Sequence, residues 1–368
     1  MSEDPGVQNI EQRLPPLLTA LETLGLIGRY LNPPELAALL ATIGAPDDKL
    51  RDAKTAAAPW PANLSALGAQ LDLASDETLA AFDGLRASAE DPGAIRELFR
   101  AMRHVPRALE ALYPLAAILP PVSRFFLHPS LRKDADVLQR FSESPPDNTG
   151  VIRFGDDPDA RETVWVYVPE TYSPDVSHPL VVALHGGSGR GRAFLWTWVR
   201  DARSRGAILA APTSIGPTWA IQGPDPDSPR LTQLVDVIRR TWNVDDKRML
   251  LTGMSDGGTF SYTSGLDSSS PFTHLAPIAA AFHPMLAMAE PERIKDLPIH
   301  IIHGRKDWMF PVDMARDAEQ HFKAAGANVT YREVEDLSHT YPTDMNFAML
   351  DWLLETPAQG TQSLGTEA

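Results

Sequence analysis

A change of rhythm near residue 150 limits what this chain can fold into more than any other feature. From there on, short β-rich runs recur: VIRF, TVWVYV, PLVVAL, AILAA, RMLLTG, HLAPIAA, PIHIIHG and VTYREV. The first two are separated only by the polar turn GDDPDARE, which fits a hairpin. Most later gaps hold apolar residues at helical spacing, as over 231–242 and 315–325. That alternation predicts an α/β domain built on a mostly parallel sheet of eight strands. Continuous apolar runs such as PLVVAL suit strands covered on both faces.

Before the change the rhythm is helical. Leu14, Leu17, Leu18 and Leu21, and again Ile95, Leu98, Phe99 and Met102, recur with the spacing of a helix face. Asn32 followed by Pro33 suits a helix start, and Gly44 suits a helix end. The stretch SESPPDNT is polar, contains prolines and follows no period, as a linker does. The expected division is therefore an all-helical N-terminal domain over 1–141, a linker over 142–149, an α/β domain over 150–356 and a flexible tail over 357–368. At 368 residues the chain is long enough to bury two cores.

Lys and Arg number 33 against 48 Asp and Glu, a net charge of −15. This balance opposes nucleic acid or an anionic membrane as partner, since both are bound mainly through cations. With no cysteine, thiolate nucleophiles, disulfides and thiolate zinc sites are excluded. No metal is expected either, because neither H-E-x-x-H nor another suitably spaced ligand cluster occurs. The N-terminus MSEDPGVQNI lacks a basic and apolar leader pattern, so the cytoplasm is the expected location. The most apolar stretch, 111–123, is short and interrupted by Pro114, Pro120 and Pro121, so no transmembrane segment is expected.

The run RMLLTG leads into Gly253-Met254-Ser255-Asp256-Gly257-Gly258, and a helical segment follows. A G-x-S-x-G pattern on a strand-to-helix turn has a physical reason. A turn sharp enough to strain the serine backbone leaves no room for side chains two residues away on either side. Ser255 is thus a candidate nucleophile, although the pentapeptide alone fits an ordinary turn equally well. A serine needs a base, and in sites of this kind an acid and then a histidine follow the nucleophile in the chain. Only His321 and His339 come late enough, and His321 falls within a helical segment. His339, in the polar loop EDLSHT after the last β run, is the candidate base. Asp307, just after PIHIIHG, is the candidate acid, with Asp313 as its rival should Asp307 pair with Arg305 or Lys306 instead.

A further requirement is a place for negative charge on the attacked oxygen. The turn His185-Gly186-Gly187-Ser188-Gly189 follows the third run, and the Gly187 N–H can point at a carbonyl oxygen without obstruction. Its expected partner is the N–H of Asp256 at the start of a helix, where the dipole favours negative charge. A phosphate loop is a poor reading of the same glycines, because neither G-x-G-x-x-G nor G-K-[ST] is present. Gly186, Trp219 and His283 are candidate substrate contacts, with Phe194, Trp196 and Trp198 nearby in the chain. For Trp219 a half-buried structural role is equally expected, and for His283 a structural hydrogen bond is favoured.

Residues 151–354 resemble the α/β-hydrolases, in particular the phospholipase/carboxylesterase and dienelactone-hydrolase branch and the feruloyl and polyhydroxyalkanoate esterases. The resemblance rests on LHGGSG, GMSDGG, HGRKDWMFPV and EDLSHTYP. It implies hydrolysis of a small-molecule carboxylic ester, small or aromatic, through an acyl-enzyme and without a cofactor. Ser255 would be the nucleophile, His339 the general base and acid, and Asp307 the residue orienting it. A serine peptidase of the same fold, or a non-catalytic binding protein on that scaffold, is the alternative. The helical half resembles no family identified from its motifs, and is expected to serve as a cap over the site or as a homodimerisation module.

Overall fold

The computed structural model describes residues 5–359 except Pro92 and Ala94. Of the tail read over 357–368, all but Pro357, Ala358 and Gln359 lies outside the described residues. The chain falls into two compact units that divide after Asp134.

The first unit is helical: α1 (Pro5–Arg29), α2 (Leu36–Ile43), α3 (Asp48–Thr55), α4 (Ser65–Glu90), α5 (Ile95–Met102), α6 (His104–Leu112) and α7 (Pro120–Phe125). Its core is the apolar stripe of α1, including Leu17, Leu21, Leu24 and Ile27, together with Leu71, Phe82 and Leu85 of α4. Asn32 and Pro33 open a short 3-10 turn before α2, and Gly44 closes α2 at a φ of 76°. Buried charge is paired here. The fully buried Asp47 accepts from Arg86 and Arg51, and Arg13 meets Asp72 at 2.6 Å.

The second unit begins with α8 (Ala135–Arg140) and is organised by an eight-stranded sheet. The strands are β1 (Gly150–Phe154), β2 (Val164–Val168), β3 (His178–Leu184), β4 (Ile208–Ala211), β5 (Val244–Met254), β6 (His274–Ile278), β7 (Pro298–Gly304) and β8 (Asn328–Val334). Each of the eight runs seen in the sequence contributes one strand. Their spatial order is β1-β2-β4-β3-β5-β6-β7-β8, with β1–β2 and β2–β4 antiparallel and the remaining pairs parallel. The helices are α9 (Gly191–Leu195), α10 (Val199–Arg205), α11 (Asp227–Thr241), α12 (Asp256–Gly265), the short α13 (Leu286–Ala289) and α14 (Pro291–Ile294), α15 (Asp313–Ala324) and α16 (Asn346–Glu355).

All seven residues of β3 are buried, as expected of a strand covered on both faces, whereas edge strand β8 alternates between exposed and half-buried residues up to its buried last residue, Val334. Five consecutive parallel pairings carry the chain out of the sheet at one edge. The loops after β3, β5, β7 and β8 therefore emerge close together, and these are the loops that hold the candidate residues. Among the described residues no helix is long and apolar enough to cross a membrane.

Candidate active site

Ser255 sits between β5 and α12 with φ 56° and ψ −119°, a conformation that L side chains rarely adopt. Its backbone N–H holds the Ile278 carbonyl at 2.9 Å, anchoring the turn to β6. A Cβ on Gly253 would lie 2.5 Å from the Gly257 carbonyl carbon, and one on Gly257 would lie 2.5 Å from both the Leu184 and His185 oxygens. The two glycines are therefore required by close packing of main chain on main chain. The turn lifts Ser255 to the sheet edge, where 7% of it is exposed.

The loop after β8 brings His339 to this serine, and the loop after β7 brings Asp307 to the histidine. His339 Nε2 lies 3.1 Å from Ser255 Oγ, and Nδ1 lies 2.8 Å from Asp307 Oδ2. The Asp307 carboxylate is fully shielded from solvent. Its Oδ1 accepts the N–H groups of Met309 at 2.9 Å and Phe310 at 2.8 Å. Burial would raise the Asp307 carboxyl, but the bonds from His339 and from those two amides outweigh it and hold the group below the usual carboxylate range. An ionised Asp307 requires the proton on Nδ1, which leaves the Nε2 lone pair facing the serine hydroxyl. The rival Asp313 is exposed at the start of α15 and bonded to Arg316, while Arg305 pairs with Glu335 and leaves Asp307 alone.

A second histidine, not singled out from the sequence, also faces this carboxylate. His303, 1% exposed at the end of β7, donates from Nε2 to the Phe310 carbonyl at 2.9 Å, and that nitrogen lies 3.4 Å from Asp307 Oδ2. Burial holds its pKa below the ordinary value for histidine. The sequence signal was the spacing of His303 four residues before Asp307 at a strand end.

The glycine turn after β3 packs against the strand-to-helix turn at Ser255. A Cβ on Gly186 would lie 3.6 Å from Ser255 Cβ, and one on Gly187 would lie 2.7 Å from Asp256 Oδ2. The N–H groups of Gly187 and Asp256 have no hydrogen-bond partner among the described residues. Buried His185 braces the turn: Nδ1 bonds the Gly186 carbonyl at 2.7 Å, and Nε2 accepts the Ser214 N–H at 3.1 Å. Burial pushes its imidazole down to about 4, which keeps it neutral. Thr218, also not singled out from the sequence, donates to Asp256 Oδ2 and so restrains that side chain.

Trp219 takes the structural position that the sequence also allowed for it. Only 3% exposed, it lies in the hydrophobic core, stacked on Phe260 at 5.4 Å, and donates from Nε1 to the His185 carbonyl at 2.8 Å. It supports the glycine turn from behind, through the bond from its indole N–H to that carbonyl. His283 is exposed and accepts the Met285 N–H at 3.2 Å, a turn bond that gives it no link to Ser255. Phe194 and Trp198 are buried around Tyr341, two residues past His339, at ring distances of 5.1 and 6.4 Å, and Trp196 is buried as well. Tyr341 in turn donates to Asn346, and Asn346 to the Thr197 carbonyl at 2.7 Å, so these aromatics hold the histidine loop in place. Among the described residues there is no group of three or more potential metal ligands.

Residues 225–354, from just ahead of α11 to near the end of α16, match the model of the phospholipase/carboxylesterase family. The second unit has the eight-stranded, mostly parallel sheet of the α/β-hydrolase fold. Over 153 residues, 40% of its length, the chain is 29% identical to a bifunctional acetylxylan esterase/xylanase of Neocallimastix patriciarum, of whose length the match spans 22%. Among solved structures it is similar to a thermostable esterase at 24% identity and a TM-score of 0.45, covering 56% of this chain and 63% of that one. An S-formylglutathione hydrolase from Agrobacterium tumefaciens is similar at 18% identity and a TM-score of 0.45, covering 58% of this chain and 98% of that one.

Proposed function

We propose that the protein is a serine carboxylesterase that cleaves small or aromatic carboxylic esters through an acyl-enzyme. The observation that carries this reading is the unbroken path from Asp307 Oδ2 through His339 to Ser255 Oγ, at 2.8 and 3.1 Å. His339 Nε2 takes the hydroxyl proton as Oγ attacks the ester carbonyl, and the negative charge passes to the carbonyl oxygen. The N–H groups of Gly187 and Asp256 receive that oxyanion, with the N-terminus of α12 adding its dipole. The tetrahedral species collapses as His339 returns the proton to the departing alcohol oxygen. Water then repeats the sequence on the acyl-enzyme, releasing the acid and restoring Ser255. Asp307 stays ionised throughout and stabilises the imidazolium formed in each half-reaction.

The test is hydrolysis of p-nitrophenyl esters from acetate to palmitate by wild type and Ser255→Ala. Turnover of short esters that disappears in the variant is expected. Turnover that survives in the variant, or a preference for p-nitroanilides over the matching esters, would overturn the reading, the second in favour of a peptidase.

A further inference from the structure

Asp307 does more than face His339, because its other oxygen fixes the backbone that follows. With Oδ1 holding the amides of Met309 and Phe310, and His303 holding the Phe310 carbonyl, the segment Trp308–Phe310 is tied at both ends of its turn. Trp308 is presented outward by this tied turn and is 44% exposed, with its neighbour Met309 45% exposed. Its ring centroid lies 6.0 Å from that of His339, at an interplanar angle of 70°, while Phe310 meets the same imidazole at 5.3 Å and 90°. A large aromatic side chain, nearly half exposed, thus stands with its ring centred 6.0 Å from the imidazole proposed to deliver the leaving-group proton. Single exposed apolar residues are common on proteins. A tethered tryptophan against a buried imidazole, next to a second exposed apolar side chain, is a more specific arrangement.

The chemistry of the reaction says which part of an ester would meet it. The imidazole must touch the alcohol oxygen to protonate it, so groups flanking His339 flank the alcohol portion, whereas the acyl carbon lies over Ser255 and its oxygen over the glycine turn. A flat indole face offers stacking and C–H interactions, and this selects alcohols that carry a ring.

We infer that Trp308 forms a subsite for the alcohol portion of the ester and that this portion is ring-bearing. The inference rests on the carboxylesterase reading. Aromatic alcohols and sugar rings share the face-to-face chemistry, so both are included in the test.

The experiment compares the full chain, Trp308→Ala and Trp308→Phe on three acetates: ethyl acetate, benzyl acetate and an acetylated methyl xyloside. Their alcohols are all aliphatic, so leaving-group acidity does not dominate the comparison. The expected result is a fall of about tenfold in the ratio of kcat/KM for a ring ester to that for ethyl acetate in Trp308→Ala, with most of the ratio restored in Trp308→Phe. A fall with benzyl acetate alone assigns the subsite to aromatic alcohols, and a fall with the xyloside alone assigns it to sugars. An unchanged ratio, or an equal fall for all three esters, overturns the inference. A readout without turnover separates this outcome from failure of the esterase reading: saturation-transfer NMR of benzyl alcohol and methyl xyloside against Ser255→Ala and Ser255→Ala/Trp308→Ala. Saturation of the ring protons in Ser255→Ala that disappears when Trp308 is also replaced supports the subsite even if no ester is cleaved. Saturation that persists without Trp308, or is absent from both variants, overturns it.

Discussion

Replacing Asp307 by asparagine tests the proposed mechanism at the point where the structure leaves the least freedom. The amide has one acceptor where the carboxylate has two. Two main-chain donors, Met309 and Phe310, converge on Oδ1, so the amide oxygen is held there and the NH2 group must take the place of Oδ2. That group then points at His339 Nδ1 across 2.8 Å, where two donors cannot face each other. The imidazole answers by moving its proton to Nε2, which turns an N–H toward Ser255 Oγ and removes the lone pair that accepts the hydroxyl proton. Loss of the tautomer together with loss of the counter-charge should lower kcat about 10⁴-fold, or about 5 kcal/mol of transition-state stabilisation. Both bonds to the 309–310 turn survive, so the melting temperature should move by only a few degrees. Initial rates on p-nitrophenyl acetate, beside a thermal melt of the same preparation, measure both quantities. A variant that keeps more than about a tenth of the wild-type kcat while still folded would show that His339 does not depend on Asp307, and the assignment of the acid would fail.

Gly257→Ala should destabilise the second unit by about 3 kcal/mol, because its Cβ would sit 2.5 Å from two backbone oxygens that cannot rotate away; a melting temperature equal to wild type would contradict this. Asp201 is 4% exposed on α10, and burial pushes its carboxyl up to about 7 against the opposing effects of Arg200, Asn346 and Arg205. Because this folded value lies above the ordinary 3.8, its stabilisation is complete below pH 3.8 and is lost as pH rises through 7, up to about 4 kcal/mol. Asp201→Asn should therefore gain on wild type in melts taken from pH 4 to pH 8, and a constant difference across that range would refute the assignment. His274 has the opposite sign: burial pushes it down to about 4, its Nε2 lies 3.0 Å from the Thr356 carbonyl, and its contribution is present above pH 6.5 and lost as pH falls through 4. The penalty of His274→Gln should accordingly shrink by up to about 3 kcal/mol between pH 7 and pH 4, as read from paired denaturant titrations.

Much of the site was legible because its determinants are local. The glycines around Ser255 are demanded by the packing of one turn, and Asp307 and His339 each lie a few residues past a strand whose apolar run is plain in the sequence. Residues whose roles depend on a distant partner were harder to place. Trp219 has the same composition cue as a pocket aromatic, and only the packing of Phe260 on its ring and the His185 carbonyl at its N–H put it in the core. Thr218 and His303 look like any loop threonine and strand histidine until Asp256 and the Phe310 carbonyl are brought beside them.

Residue order alone was enough for the two kinds of structure and the eight strands, and for naming the serine, aspartate and histidine that the fold brings together. These follow from hydrophobic period and from steric limits within a few residues, which act on any chain with that local pattern. It took the folded chain to set β4 between β2 and β3, to join His303 with His339 on one carboxylate, and to turn Trp308 to solvent while Trp219 went inside. Strand order and burial are set by which segments meet across long stretches of chain. A side chain's chemistry is completed by whatever that meeting places against it, and no local pattern contains that information.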